Sequence, residues 1–428
     1  MSVNPETDFS AQRLEYDASA VDQLELERLR RILAAKEPES ALLGLNDEKL
    51  LVRLAVLTPD HNLRMTMAGM LLVGKEEIIR RILPNHEAIY LHMQNDTEYD
   101  RRVDSHRPLL ALLEQFSRAI EPYNRIFTLK IGLFHFEIPD FPKTVYREAF
   151  LNALVHRDYA GHGPVYLRHF QNRLEISNPG GFFGGVNVNN ILGHEPATRN
   201  RLLAEILQKI RLVERAGMGV KRMYHIMLSY GKEPPDYEAN PDYVRVTLRS
   251  GRTESSAGVD ESFARFVANE QKEGRELNLH DLLVLTFLKR NRELDLTRAR
   301  RILQRGENET REALNSMTAR GLLEPFGQKK GRVYRLSKKI YTRLRRSVSY
   351  YIFRRAETAF AETTIMTYLD EMPDNKRFVT NEIVRTLLRV SPHQSGYILA
   401  NLVKKGKLVL QGRGRASKYF KSKQLSAF

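Results

Sequence analysis

Residues Lys143–Tyr159, KTVYREAFLNALVHRDY, restrict this chain more than any other stretch. Wound as a helix, they place Glu148, Asn152 and His156 at i, i+4 and i+8 on one face, with Val145, Ala149, Ala153 and Leu154 as an apolar stripe beside it. Such a helix presents a carboxylate and an amide together and needs an apolar layer to lie against. The following residues supply one. Pro164–Phe170 and Arg173–Ser177 flank Gln171-Asn172 and predict a β-hairpin that runs into Asn178-Pro179-Gly180-Gly181. Glycine at that place lets backbone approach a flat ligand closely. Ala204–Val213 reads as a helix, and Glu214-Arg-Ala-Gly217-Met-Gly219 opens another through Met227. Free N–H groups at a glycine-led helix start favour an anion.

Each piece alone is commonplace, but their order and spacing carry a resemblance. The runs REAFLNALVHRDY (147–159), ISNPGG (176–181), RNRLLAEIL (199–207) and VERAGMGVKRM (213–223) resemble the Bergerat-type, or GHKL-like, ATP-binding fold of gyrase B, MutL and histidine kinases. Within it they are most similar to the ATPase-like domain of the RecG-related transcriptional regulators, many of which carry a Schlafen/AlbA-like domain at the N-terminus. The resemblance covers about 143–250 and implies an α/β sandwich that binds ATP with Mg²⁺. Carried over by position, Glu148 would be the general base of slow hydrolysis, and Asn152 would offer its amide oxygen to magnesium. Asn178 and Gly180 match the adenine box, and Gly217 and Gly219 the phosphate-side glycines. His156, Arg157 and Asp158 close the helix near a lid, to which Arg199 and Asn200 belong. Asn178 stands where gyrase-type proteins have Asp; an Asn can accept through its carbonyl oxygen and also donate. The chain begins where those regulators have already completed their AlbA-like domain, so that domain's activity is not carried over.

Composition narrows the chemistry. The 428 residues are 42% hydrophobic and 28% charged, which is globular composition. They include no cysteine, which excludes disulfide scaffolds, thiolate metal sites and cysteine nucleophiles. With no long apolar stretch and a polar start, a cytoplasmic protein without a membrane partner is expected. Gly69-Met-Leu-Leu-Val-Gly74-Lys75-Glu76 imitates half of a P-loop. Its apolar interior and the Glu after the lysine point instead to a buried strand ending in a turn. No Walker lysine with Ser or Thr is present for a helicase motor, and His156, His162 and His169 lack the spacing of a zinc helix.

The N-terminal region, 1–140, reads as mixed α/β: helices at Asp22–Lys36, Asp47–Thr58 and Leu109–Ile120, strands at Met67–Val73 and Ala88–Met93. An ATP-binding domain follows over 141–250. Small and polar residues between Arg249 and Gln271 predict a linker, 251–277. Residues 1–270 carry a net charge of −3 and residues 271–428 a net of +19, so the whole basic excess lies in the last third. That third twice shows three helices followed by a hairpin, over 278–345 and 356–428, the order of a winged helix-turn-helix. Double-stranded DNA is therefore the expected partner. Lys329, Lys330 and Arg332 in the first wing, and Arg413, Arg415 and Lys418 in the second, are phosphate-contact candidates. Asn308, Thr310, Arg311, Asn315, His393, Gln394 and Tyr397 on the third helices are base-reading candidates.

The whole reads as an α+β chain: a Bergerat-type domain whose ATP binding controls tandem winged helices, in a homodimer. A rival reading keeps the fold and drops the chemistry, leaving a DNA- or protein-binding module with a vestigial pocket. A third is a DNA-stimulated ATPase of phage defence or DNA processing.

Overall fold

The computed structural model describes residues 8–59, 63–131, 134–213, 217–251, 260–327, 332–344, 359, 361–373, 377–388, 390, 392–412 and 417–422. The chain divides into two compact units, 1–282 and 283–428.

The first unit starts with helices α1 (Gln23–Lys36), α2 (Asp47–Arg53), α3 (Met67–Val73) and α4 (Glu76–Ile82). Asp22 starts α1 by accepting the N–H of Leu24 at 2.9 Å, and Asn46 starts α2 by accepting that of Lys49 at 2.9 Å. Helix α2 ends before the expected Thr58 because Ala55 takes a left-handed φ of 61°. The expected strand Met67–Val73 is a helix. All seven of its residues are buried, and the Thr66 hydroxyl accepts the N–H of Gly69 at 3.1 Å. A short, uniformly apolar run carries no period by which to tell a buried strand from a buried helix; the cap at Thr66 was the available signal.

A six-stranded mixed sheet forms the centre, in the order β2-β1-β5-β6-β8-β7. Its strands are β1 (Ala88–Met93), β2 (Tyr99–Ser105), β5 (Val165–His169), β6 (Arg173–Pro179), β7 (Asp236–Ala239) and β8 (Tyr243–Arg249). β1 runs parallel to β5, and every other pairing is antiparallel. The predicted hairpin is β5–β6, with Tyr166 opposite Ser177. Between β2 and β5 come α5 (Leu109–Ile120), a separate hairpin of β3 (Ile126–Ile131) and β4 (Phe134–Pro139), and α6 (Lys143–His156). Helices α7 (Arg201–Lys209) and α8 (Met218–Ser229) precede β7.

One face of the sheet buries Tyr90, Leu167, Ile176 and Val246 in a core shared with α1, α3, α5, α6, α7 and α8. The N-terminal helices and the sheet are thus one packed body. The expected linker is structured over its second half: α9 (Glu261–Lys272), capped by Asp260, buries Ala264 against Leu129 and Ile138 of the β3–β4 hairpin. Its FARFVA core had the apolar spacing of a helix, which the small residues just before it obscured.

The second unit contains most of α10 (Leu279–Arg290), then β9 (Leu294–Asp295), α11 (Leu296–Leu303), α12 (Glu307–Ala319) and the hairpin β10 (Leu323–Phe326)–β11 (Val333–Leu336). β11 also pairs with β9. After α13 (Lys338–Arg343) the order recurs as α14 (361–371), α15 (Asn381–Leu388), α16 (Pro392–Lys404) and the hairpin β12 (Leu408–Gln411)–β13 (Lys418–Lys421). Gly321 ends α12 with φ 70°, as its position predicted. Among the described residues no helix is long and apolar enough to cross a membrane.

Candidate functional site

Helix α6 follows Pro142 and turns Val145, Ala149 and Ala153 into the core. Its next face carries Glu148, Asn152 and His156 into a cavity of about 190 Å³. β6 and β8 form the opposite wall through Ile176, Asn178, Val244 and Val246. Ala204 and Gln208 of α7, Gly217, Gly219 and Val220 at the start of α8, and several residues between Phe182 and Thr198 complete the lining. Six of the nine pocket residues expected from sequence therefore share one cavity: Glu148, Asn152, His156, Asn178, Gly217 and Gly219.

Glu148 is only 5% exposed. Burial pushes its carboxyl above the ordinary carboxylate range, against the pull of the Arg222 and Arg147 guanidinium groups and of a hydrogen bond with the Asn152 side chain. A carboxylate raised in this way is a better proton acceptor than a solvated one. Gly219 lies against it: a Cβ there would fall inside the Glu148 carboxylate. Gly217 begins α8 in the left-handed region, φ 63°. Burial holds His156 neutral, its pKa lowered to about 4 with help from Arg199. At the end of β6 the Asn178 amide donates to the Pro179 carbonyl at 3.0 Å.

The other three expected residues do not line the cavity; each holds its walls in place. Gly180, φ 88°, leaves no room for a Cβ beside Asp158, and its N–H donates to Asp242 O at 2.7 Å. Its neighbour Gly181 is the residue that lines the cavity. Arg199 donates to Gly181 O at 3.1 Å and lies 5.2 Å from the centre of the Phe183 ring. Asn200 is fully buried and spends its amide on the Val155 and Arg157 carbonyls, both at 2.8 Å, at the end of α6. Arg157 turns inward, away from any lid, to donate to the backbone carbonyls of Asn85, Glu87 and Gly163.

Sequence reading missed the aromatic lining. Phe182 and Tyr237 meet at 6.2 Å between ring centres, and burial raises the Tyr237 hydroxyl well above its usual range. The pair Phe182-Phe183 directly after the double glycine was the signal for it.

The donor set fits a nucleotide with magnesium in one respect. Glu148 and Asn152 are hard oxygen donors side by side, and a magnesium site commonly takes one or two such protein ligands and completes its shell with phosphate and water. Among the described residues no group of three or more His, Asp or Glu forms a self-sufficient metal site.

The DNA candidates are less uniform. Arg332 and Lys418 are exposed, the latter with its ammonium 4.1 Å from the Phe378 ring centre. Tyr397 is 70% exposed on α16. Arg311 is paired with Glu307 at 2.7 Å, and Asn315 is exposed one turn further on. Thr310 is fully buried and bonds back to Gly306 O at 2.7 Å, so it cannot reach a base edge. Lys329, Lys330, Arg413 and Arg415 lie outside the described residues, as do the side chains of His393 and Gln394.

The family match covers part of the cavity's lining, from β6 to β8, but not α6. Residues 162–248 match the family described as "Putative ATP-dependent DNA helicase recG C-terminal", an ATPase-like domain. Residues 3–89 match a domain of unknown function (DUF8451). No curated protein matches the chain. Among solved structures, the DIP2311 protein from Corynebacterium diphtheriae is similar at a TM-score of 0.64 and 25% identity over 79% of this chain. The chain spans 66% of the length of that structure's chain.

Proposed function

We propose that this chain is an ATP-responsive, DNA-binding regulator in which a Bergerat-type site governs winged-helix modules. The observation that carries the reading is the convergence of Glu148, Asn152, Asn178, Gly217 and Gly219, from three separate stretches of sequence, on one cavity. The base would be held by Asn178 and the side chains of α6, β6 and β8 that line the cavity. Gly217 and the start of α8 would hold the phosphates, since N–H groups at a helix start and the helix dipole favour an anion. Asn152 would hold magnesium through its amide oxygen. Glu148 orients a water and accepts its proton, which makes slow hydrolysis the supported activity; unwinding is not part of the reading. When bound, the metal-nucleotide supplies the electrophilic phosphorus.

The second unit, within the basic last third of the chain, is the DNA-binding half, with Arg332 and Lys418 among its phosphate contacts. A pair of protomers would match paired half-sites.

Isothermal titration of ATP with Mg²⁺ tests the reading. Saturable binding by the wild type, lost in Asn152→Ala, is expected. Wild-type protein that takes up no nucleotide would leave a vestigial pocket on a DNA- or protein-binding chain.

A further inference from the structure

The helix that forms one wall of the cavity is capped from the far end of the chain. Asn200 stands at the N-cap of helix α7 but its side-chain oxygen accepts none of the helix's N–H groups, while its amide nitrogen donates to the end of α6. The acceptors come from residues 8–10. The Asp8 carboxylate takes the N–H of Leu202 at 2.7 Å, and the Ser10 hydroxyl that of Leu203 at 3.1 Å. Ser10 is fully buried and is itself oriented by Asp8, through its N–H at 3.0 Å and its hydroxyl at 2.7 Å. Between them Phe9 stacks on Tyr159, 6.1 Å between ring centres and 7° from parallel, and the Tyr159 hydroxyl donates to Leu154 O of α6. Residues 12–16 are tied in turn to the α3 region through Met67 N to Gln12 O, Leu14 N to Met65 O and Met65 N to Tyr16 O.

Three consecutive residues therefore grip the start of one wall and the exit of the other. We infer that Asp8 and Ser10 are positioning residues of the nucleotide cavity, so that the segment matched to the domain of unknown function completes the ATPase-like site. This rests on the nucleotide reading above. With the clasp closed, α7 and the 194–198 segment leading into it are preorganised, and a ligand does not have to order them on binding. The effect is reciprocal: whatever factor clasp closure adds to nucleotide affinity, nucleotide adds to clasp closure.

ATP-Mg²⁺ titration and amide exchange of α7, on the full chain, provide the test. Asp8→Ala is expected to weaken ATP binding about five- to tenfold, the scale of a lost helix cap, with Ser10→Ala a milder second variant. Asp8→Asn keeps an acceptor for Leu202 and is expected to recover part of the loss. ATP is expected to slow exchange at Leu202 and Leu203 in the wild type and to lose that effect in Asp8→Ala. Unchanged affinity in both alanine variants would overturn the inference. Equal weakening in Asp8→Ala and Asp8→Asn, in step with lowered melting temperatures and no ATP effect on exchange, would reduce the clasp to a folding contact and overturn it too. A wild type that binds no ATP would instead remove the nucleotide reading on which the inference stands.

Discussion

Gly219, in the first turn of α8, packs so closely on Glu148 of α6 that its missing side chain is the space the carboxylate occupies. The glycine is thus a condition for Glu148 to face the cavity at all. Gly219→Ala is expected to displace the carboxylate, to abolish ATP binding or turnover, and to cost about 1–3 kcal/mol in overpacking strain. Nucleotide titration alongside urea unfolding separates the two effects.

Glu148 itself carries a cost. Its folded-state pKa lies above the ordinary 4.5 because of burial, so the native state holds the proton more tightly than the unfolded chain and stability falls as pH rises through that window. Glu148→Gln is therefore expected to melt a few degrees higher than wild type at pH 7, to lose that advantage below about pH 4.5, and to bind ATP without hydrolysing it. Melting curves across pH 4–8 and a phosphate-release assay provide the check.

Three histidines act in the opposite direction. Burial holds His86 at about 3, and His156 and His169 at about 4, against an ordinary value of 6.5. The unfolded chain takes up their protons first, so their stability contribution is complete above pH 6.5 and is lost as pH falls through about 6 to 4. Each contributes a slope of about 1.4 kcal/mol per pH unit in that window. His169→Phe is expected to flatten the acid limb of a pH–stability curve, though it also removes the bond between His169 Nδ1 and the Tyr90 hydroxyl at 3.0 Å.

Asn200→Ala removes two buried bonds that close the end of α6. A loss of about 2–4 kcal/mol is expected, read as a lower urea midpoint at unchanged slope. A midpoint equal to wild type would return Asn200 to the group of ligand-facing residues.

Among the basic residues, Arg332 and Arg311 should separate. If the last third binds duplex DNA, Arg332→Ala is expected to weaken it a few-fold and to lower the salt slope of log K by about one. Arg311→Ala should change neither, because Glu307 already neutralises that guanidinium. Fluorescence anisotropy on a labelled duplex over a salt series measures both.

Much of the site was legible because its pieces are local. Helix periodicity placed Glu148, Asn152 and His156 together, and the β5–β6 hairpin brought Asn178 to the same end of the sheet. What was hidden depends on long-range contact. Asn200 immediately precedes α7, and nothing within a few residues reveals that its partners are the carbonyls at 155 and 157. Helix α3 lacked a readable period because every side of it is buried. Asp8 and Phe9 lie in a short polar opening whose partners are about 150 and 190 residues away.

The β1–β5 pairing has a consequence for how such genes can be cut and joined. The ATPase-like match starts at residue 162, but β5 completes its hydrogen bonding on β1, whose residues 88–93 all fall outside that match. A fragment cut at the family boundary would also lack α6, and with it Glu148. It would leave Val165–His169 as a bare, apolar sheet edge, open to pairing with any other chain. Recombination that keeps this edge covered has to carry β1 and α6 together with the matched residues, and the helices of residues 23–82 that share their core.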